Sequence, residues 1–171
     1  MQEHRYTRVQ VIALVVLRVL IGWHFLYEGI AKMQQENWSA AGFLLQARGP
    51  FAGAFRRLAE SPSALEVVNW MNIWGLAAIG VGLILGCFTQ VSAVSGALLI
   101  LLYYLCNPPF IGLHYSIPAE GSYLIVNKNL VELAALAVIA VTHSGRYAGL
   151  DRLLRRFGAR WGDRERAAVD I

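Results

Sequence analysis

The sequence predicts an all-α integral membrane protein, a four-helix bundle followed by an amphipathic C-terminal helix at the membrane interface. Three observations carry that prediction. Of the 171 residues, 57% are hydrophobic and 15% charged, against roughly a quarter charged in an average soluble domain. Four segments, at about 9–33, 65–88, 90–106 and 123–143, approach the roughly 20 apolar residues that a membrane crossing needs. Seven of the fifteen Lys and Arg residues fall between Arg146 and Arg166, beyond the last apolar segment.

Each element has its own justification. The opening MQEHRYTR runs straight into the first apolar segment without a small-residue cleavage site. That segment therefore reads as a retained span rather than a signal peptide. Segments two and three are separated only by residues 88–90, which predicts a tight antiparallel hairpin. Gly75, Gly80, Gly82 and Gly86 on the second, with Ser92, Ser95 and Gly96 on the third, allow close helix approach. The 34–64 connection predicts two short amphipathic helices broken at Gly49-Pro50. Ser63-x-x-Glu66 is a candidate capping box for the second span. The 107–122 connection holds three prolines and two glycines, which exclude a regular helix. Residues 1–145 thus form a transmembrane domain and 146–171 a basic tail. In that tail Leu150, Leu153, Leu154, Phe157 and Trp161 interleave with Arg152, Arg155, Arg156 and Arg160. This pattern suits a helix lying on an anionic membrane surface, with a partner-binding helix as the alternative.

Charge sets the orientation. Four spans place both termini on one side, with Arg5, Arg8 and the seven tail arginines. The other side holds Lys32, Arg48, Arg56, Arg57 and Lys128. The positive-inside rule puts the richer side, and both termini, in the cytoplasm. The two long connections then face outward. The basic cluster reads as this topology signal rather than as a nucleic-acid surface.

Ionisable side chains inside a span cost about 2.5–3.5 kcal/mol each on insertion scales. Span one nonetheless carries Arg18, His24, Glu28 and Lys32, and span four carries Asn127, Lys128, Asn129 and Glu132. On a helix the four residues of span one fall within an arc of about 120°. One polar face therefore points into the bundle. Counting residues inward from each span's end puts Arg18 and Glu132 near mid-membrane, which predicts them as neighbours, with Glu28 further out beside Lys32. Two readings stand: this network locks helix one to helix four, or Arg18, His24, Glu28, Lys32, Asn129 and Glu132 line a ligand or proton site. The aromatics of the outer half read mainly as an interfacial belt. Trp70, Trp74 and Tyr104 are the candidates for lining a pocket for a flat apolar ligand such as a quinone.

Several chemistries are excluded. His24 and His143 lie at different depths and cannot share a haem. His4 and His114 fall outside the spans, and no spacing suggests a metal site. Cys87 and Cys106 form no CxxC pair; Cys87 falls at the cytoplasmic end of span two and Cys106 at the outer end of span three, about a membrane thickness apart, so they cannot pair within one chain. No intrinsic cofactor motif is present.

The run Arg18-Val-Leu-Ile-Gly22-Trp-His-Phe-Leu-Tyr-Glu28-Gly29-Ile-Ala-Lys32 is similar to the first helix of the DoxX/DoxD family of small bacterial membrane proteins. So are the glycine-rich Gly75…Gly80-Val-Gly82…Gly86, the Asn127-Lys-Asn129-Leu start of span four and the closing Gly145-Arg-Tyr-Ala-Gly149-Leu-Asp151. The resemblance covers nearly the whole chain and is thinnest over 37–64. It implies a four-helix bundle in the bacterial cytoplasmic membrane. Some relatives are subunits of thiosulfate:quinone oxidoreductase, others belong to redox or stress-response complexes, and many have no assigned activity. It therefore implies a subunit of a membrane redox system with a quinone-binding or quinone-reducing role, served by a periplasmic or membrane partner. A non-enzymatic scaffold docking a periplasmic partner is the alternative, and a small-solute permease a third. The lipid bilayer is the expected surrounding, and a homo-oligomer is compatible with the sequence.

Overall fold

The computed structural model describes residues 6–110, 112–113, 115, 124–142 and 144–151. Among them are six α-helices: α1 (Arg8–Gln34), α2 (Ala41–Leu45), α3 (Ala52–Glu60), α4 (Pro62–Leu85), α5 (Thr89–Cys106) and α6 (Lys128–Thr142). A 3-10 turn, Ser144–Arg146, follows.

Local chemistry explains the boundaries. Thr7 and Gln10 form a reciprocal capping box at the start of α1, which satisfies two otherwise orphaned N–H groups. The capping box expected at Ser63 and Glu66 does not form. Pro62 occupies the first turn instead, and Ser61 is the N-cap without a side-chain bond. Proline's fixed φ suits that position, so the helix starts ahead of Ser63. At the other end Gly86 turns left-handed at φ 64°, and the Cys87 N–H reaches back to the Gly82 carbonyl at 3.0 Å. This is a Schellman closure. Phe88, also at positive φ, leads directly into α5, giving the tight hairpin the sequence predicts.

Helices α1, α4 and α5 are long and apolar enough to cross a membrane. Val9, Ile12, Val16, Leu20, Trp23 and Tyr27 all project outward from α1. The opposite faces pack Ile21, Phe25, Leu76, Ile79, Leu83, Ala93, Ile100, Leu136 and Ile139 into one core. Such an inside-and-outside apolar distribution needs lipid as its solvent, and the chain is a multi-pass membrane protein. Helix α6 differs from expectation. It runs 15 residues, about 22 Å, short of the roughly 30 Å hydrocarbon layer. It starts at Lys128 because the Asn127 side chain accepts the Leu130 N–H at 3.1 Å, as an N-cap does. The expected start at residue 123 lies outside the described residues.

The bundle is assembled from two close pairs, α1 on α4 and α5 on α6, joined through the α4–α5 hairpin. In the 34–64 connection α2 and α3 flank Gly49-Pro50 as expected. The Arg48 and Gly49 N–H groups both donate to the Cys106 carbonyl at 3.1 Å. Arg56 donates to the Ala47 carbonyl at 2.6 Å and Ala40 to the Asn69 side chain at 2.8 Å. A small second core of Ala40, Leu44, Ala47 and Cys106 seals this arm onto the ends of α4 and α5. Cys87 and Cys106 are both free thiols. The amphipathic tail helix expected over 146–171 lies outside the described residues beyond Asp151.

Candidate functional site

The polar residues of the spans form two clusters, separated by an apolar layer. Arg18 belongs to the first. Its side chain is buried under the hairpin turn, where a Cβ on Gly86 would come within 2.8 Å of both terminal guanidinium nitrogens. The carboxylate that acts on it electrostatically is Asp151. Asp151 in turn accepts the Phe88 N–H at 2.7 Å and the Thr89 N–H at 3.0 Å, and its own N–H donates to the Gly86 carbonyl at 2.8 Å. The segment after α6 therefore folds back beneath the hairpin and supplies a carboxylate to the N-terminus of α5, where the helix dipole favours one.

The expected contact between Arg18 and Glu132 is not made. Helix α6 begins at Lys128, so Glu132 lies only about 6 Å from its start rather than at mid-membrane. Its partner on α1 is His24, with Nε2 3.4 Å from the carboxylate. His24 is six residues beyond Arg18, about 9 Å along the helix.

His24 and Glu132 belong to the second cluster, which lines a cavity of about 380 Å³ between α1, α5, α6 and the chain after α5. Phe25, Leu76 and Ile100 form its apolar floor, and Phe43, Tyr103, Phe110 and Tyr115 its aromatic walls. Glu28, Lys32, Lys128, Asn127, Asn129 and Asn107 contribute polar atoms. Lys32 sits 2.5 Å from Glu28, one turn away on the same face of α1, as the helical spacing predicts. Its ammonium also lies 5.6 Å from the centre of the Trp38 ring, a cation–π distance. The Tyr103 hydroxyl donates to Asn72 at 2.9 Å, and its ring meets Phe43 edge-on at 5.5 Å. The Tyr115 hydroxyl donates to the Pro108 carbonyl at 2.8 Å. Burial pushes the Tyr115 phenol above its ordinary pKa, against the opposing pull of Arg48, so it stays a neutral donor at physiological pH.

Five of the six candidate polar residues thus share one cavity; Arg18 does not. The candidate aromatics are placed elsewhere. Trp70 and Trp74 are 64% and 53% exposed on the outer face of α4. Tyr104 donates to the Ile125 carbonyl at 2.9 Å, holding the lead-in to α6. Tyr103 faces the cavity instead. It follows buried Gly96 and Ile100 at spacings of four and three, the inward stripe of a helix, so periodicity on α5 was the available signal. No local signal marks Asn107, at the end of α5, or Phe43, which reaches the cavity through the fold of the 34–64 arm.

Below the floor the bundle is apolar. Leu83, Ala93, Leu136 and Ile139 are fully buried between the cavity and Arg18. Among the described residues, no three His, Cys, Asp or Glu side chains converge as a metal site would require.

The Tyr103–Asn72 bond allows a local test. Tyr103→Phe leaves the buried Asn72 acceptor without its partner, a loss of about 1–3 kcal/mol. It should lower the thermal midpoint while leaving the helical circular-dichroism signal intact.

In comparison with known proteins, the family model described as DoxX matches residues 13–106, more than half of the chain. The match spans α1 to α5 and stops short of α6 and the segment carrying Asp151. No curated protein and no solved structure matches the chain.

Proposed function

Because the chain belongs to the DoxX family, we propose that it is a subunit of a bacterial cytoplasmic-membrane redox system whose cavity binds a quinone-type ring. In this reading α6 is the fourth span, both termini are cytoplasmic and the cavity faces outward. The observation that carries the proposal is the composition of the cavity. His24, Glu28, Lys32 and Glu132 are gathered against aromatic and aliphatic walls, although the His24–Glu132 contact also links α1 to α6. A volume of about 380 Å³ lies in the range of small-molecule sites, which combine apolar walls with a few polar groups. Aromatic and aliphatic walls suit the ring, and the polar rim suits its oxygens. The ring, when bound, would supply the electron-carrying chemistry; a partner would supply the electrons.

The apolar layer that contains Leu83 and Leu136 weighs against the permease reading, which needs a polar route past them. The scaffold alternative draws on exposed Phe51 and Leu58 beside Arg57 on the α2–α3 arm, a surface suited to a partner. The deciding experiment is extraction of protein purified in mild detergent, followed by mass spectrometry. A near-stoichiometric quinone is the expected result. Reproducible absence of quinone, together with co-purification of a fixed partner, would establish the scaffold reading in its place.

A further inference from the structure

The α2–α3 arm carries an apolar surface that the described residues leave uncovered. Helix α3 packs through Ala52, Phe55 and Ala59 onto the small second core. On a helix these three fall within an arc of about 60°, and Phe51, Ala54 and Leu58 fall within an adjoining arc of about 60°. Phe51 and Leu58 are 57% and 37% exposed, with Ala54 exposed between them. Gly53, Arg56, Arg57 and Glu60 take the remaining side. Half of the apolar face of α3 is therefore used in packing and half is not.

Depth says what covers the second half. Helix α4 runs 24 residues, about 36 Å, and exceeds the roughly 30 Å hydrocarbon layer by about a turn. The excess lies at its Pro62 end, where Ser63 and Glu66 are exposed, because exposed Val81 and Leu85 keep the other end apolar. The lipid-facing surface of α4 begins at Val67 and Trp70, and tryptophans gather at this level of a membrane. Leu65 and Val68 border the same small core as Phe55 and Ala59, and α3 packs on α4. Helix α3 thus lies level with the first two turns of α4, at the boundary between headgroups and acyl chains. Charge agrees. Across residues 41–60, Arg48, Arg56 and Arg57 outnumber Glu60. Arg56 is committed to the Ala47 carbonyl, whereas Arg57 is exposed beside Leu58. A long cationic side chain at such an edge reaches outward to phosphate while its stem stays against apolar surface.

We propose that α3 is an interfacial anchor on the phospholipid leaflet. Phe51, Ala54 and Leu58 enter the acyl boundary, as the apolar face of an amphipathic surface helix does, and the Arg57 guanidinium binds headgroup phosphate. The anchor is independent of what the cavity binds. It ties the arm to the same lipid surface that α4 already faces.

The test is electron paramagnetic resonance of the full chain in nanodiscs of phosphatidylglycerol and phosphatidylcholine, with a nitroxide attached at one position at a time. Leu58→Cys samples the apolar stripe. Gly53→Cys samples the polar side, where an added side chain meets nothing within 4 Å. Both are made with Cys87→Ser, and Cys106, 1% exposed, stays in place. The label at 58 should be open to dissolved oxygen and shielded from a water-soluble nickel complex, with the reverse at 53. Adding Arg57→Ala should move the label at 58 towards the nickel complex. Two labels equally open to nickel would overturn the anchor and leave the arm as a surface for a protein. A shielded label at 58 that Arg57→Ala does not move would overturn the headgroup contact.

Discussion

Gly80→Val should abolish the folded protein. A Cβ at position 80 would lie 2.5 Å from the Leu26 backbone nitrogen and 2.7 Å from the Gly22 carbonyl oxygen. Both are backbone atoms of a regular helix and cannot swing aside. Helices α1 and α4 therefore approach along Gly80, Gly22 and Gly29, and a side chain at Gly80 must drive them apart. Overpacking of this kind costs about 3 kcal/mol or more when the obstacle is rigid. The separation would also open the core around Phe25, Leu76 and Leu83. Size-exclusion chromatography in detergent should show loss of the monodisperse peak. Gly75→Ala is the matched control, because a Cβ there meets nothing within 4 Å. Its effect should stay within about 0.5 kcal/mol. Equal behaviour of the two variants would refute the close approach.

Asp151→Ala should be the next most damaging single change. The carboxylate holds two N–H groups at the start of α5 and is the counter-charge facing buried Arg18. Hydrogen bonds to a charged group are worth about 1.5–3 kcal/mol, and an uncompensated buried cation adds to the loss. A fall of about 2–3 kcal/mol is expected, read as a lower thermal midpoint. The diagnostic measurement is the double mutant. With Arg18→Met in the same chain the buried charge is gone, so Asp151→Ala should cost less than it does alone, by about 1 kcal/mol. Strict additivity of the two changes would show that Arg18 and Asp151 are not coupled.

Much of this molecule is legible in its sequence. The spans expected at 9–33, 65–88 and 90–106 correspond to α1, α4 and α5 within a few residues. Long apolar runs dominate the energetics in lipid, where every backbone group must bond internally. The Glu28–Lys32 pair follows from a spacing of four on a single helix. The two short helices around Gly49-Pro50 follow from the amphipathic stretches and the break between them.

Besides the Ser63–Glu66 capping box and the outward-facing Trp70 and Trp74, what failed was an inference that joined separate helices. The Arg18–Glu132 pairing depended on counting depth from residue 123, whereas α6 starts at Lys128. That offset moves Glu132 by more than a turn and hands it to His24. The motif ending in Asp151 was visible, but its role was not, because it depends on the chain folding back under a hairpin 62 residues earlier in sequence.

The sequence by itself determined the class: an apolar, all-α membrane protein with charged residues along one face of its first helix. Those properties reside in composition and in the 3.6-residue period, which are local. Tertiary structure alone decided that the charges divide into two clusters, Arg18 with Asp151 at the hairpin and His24 with Glu132 at the cavity. The reason is physical. Which side chains meet across helices depends on relative depth and rotation, and a shift of a few residues at one helix start changes every partner.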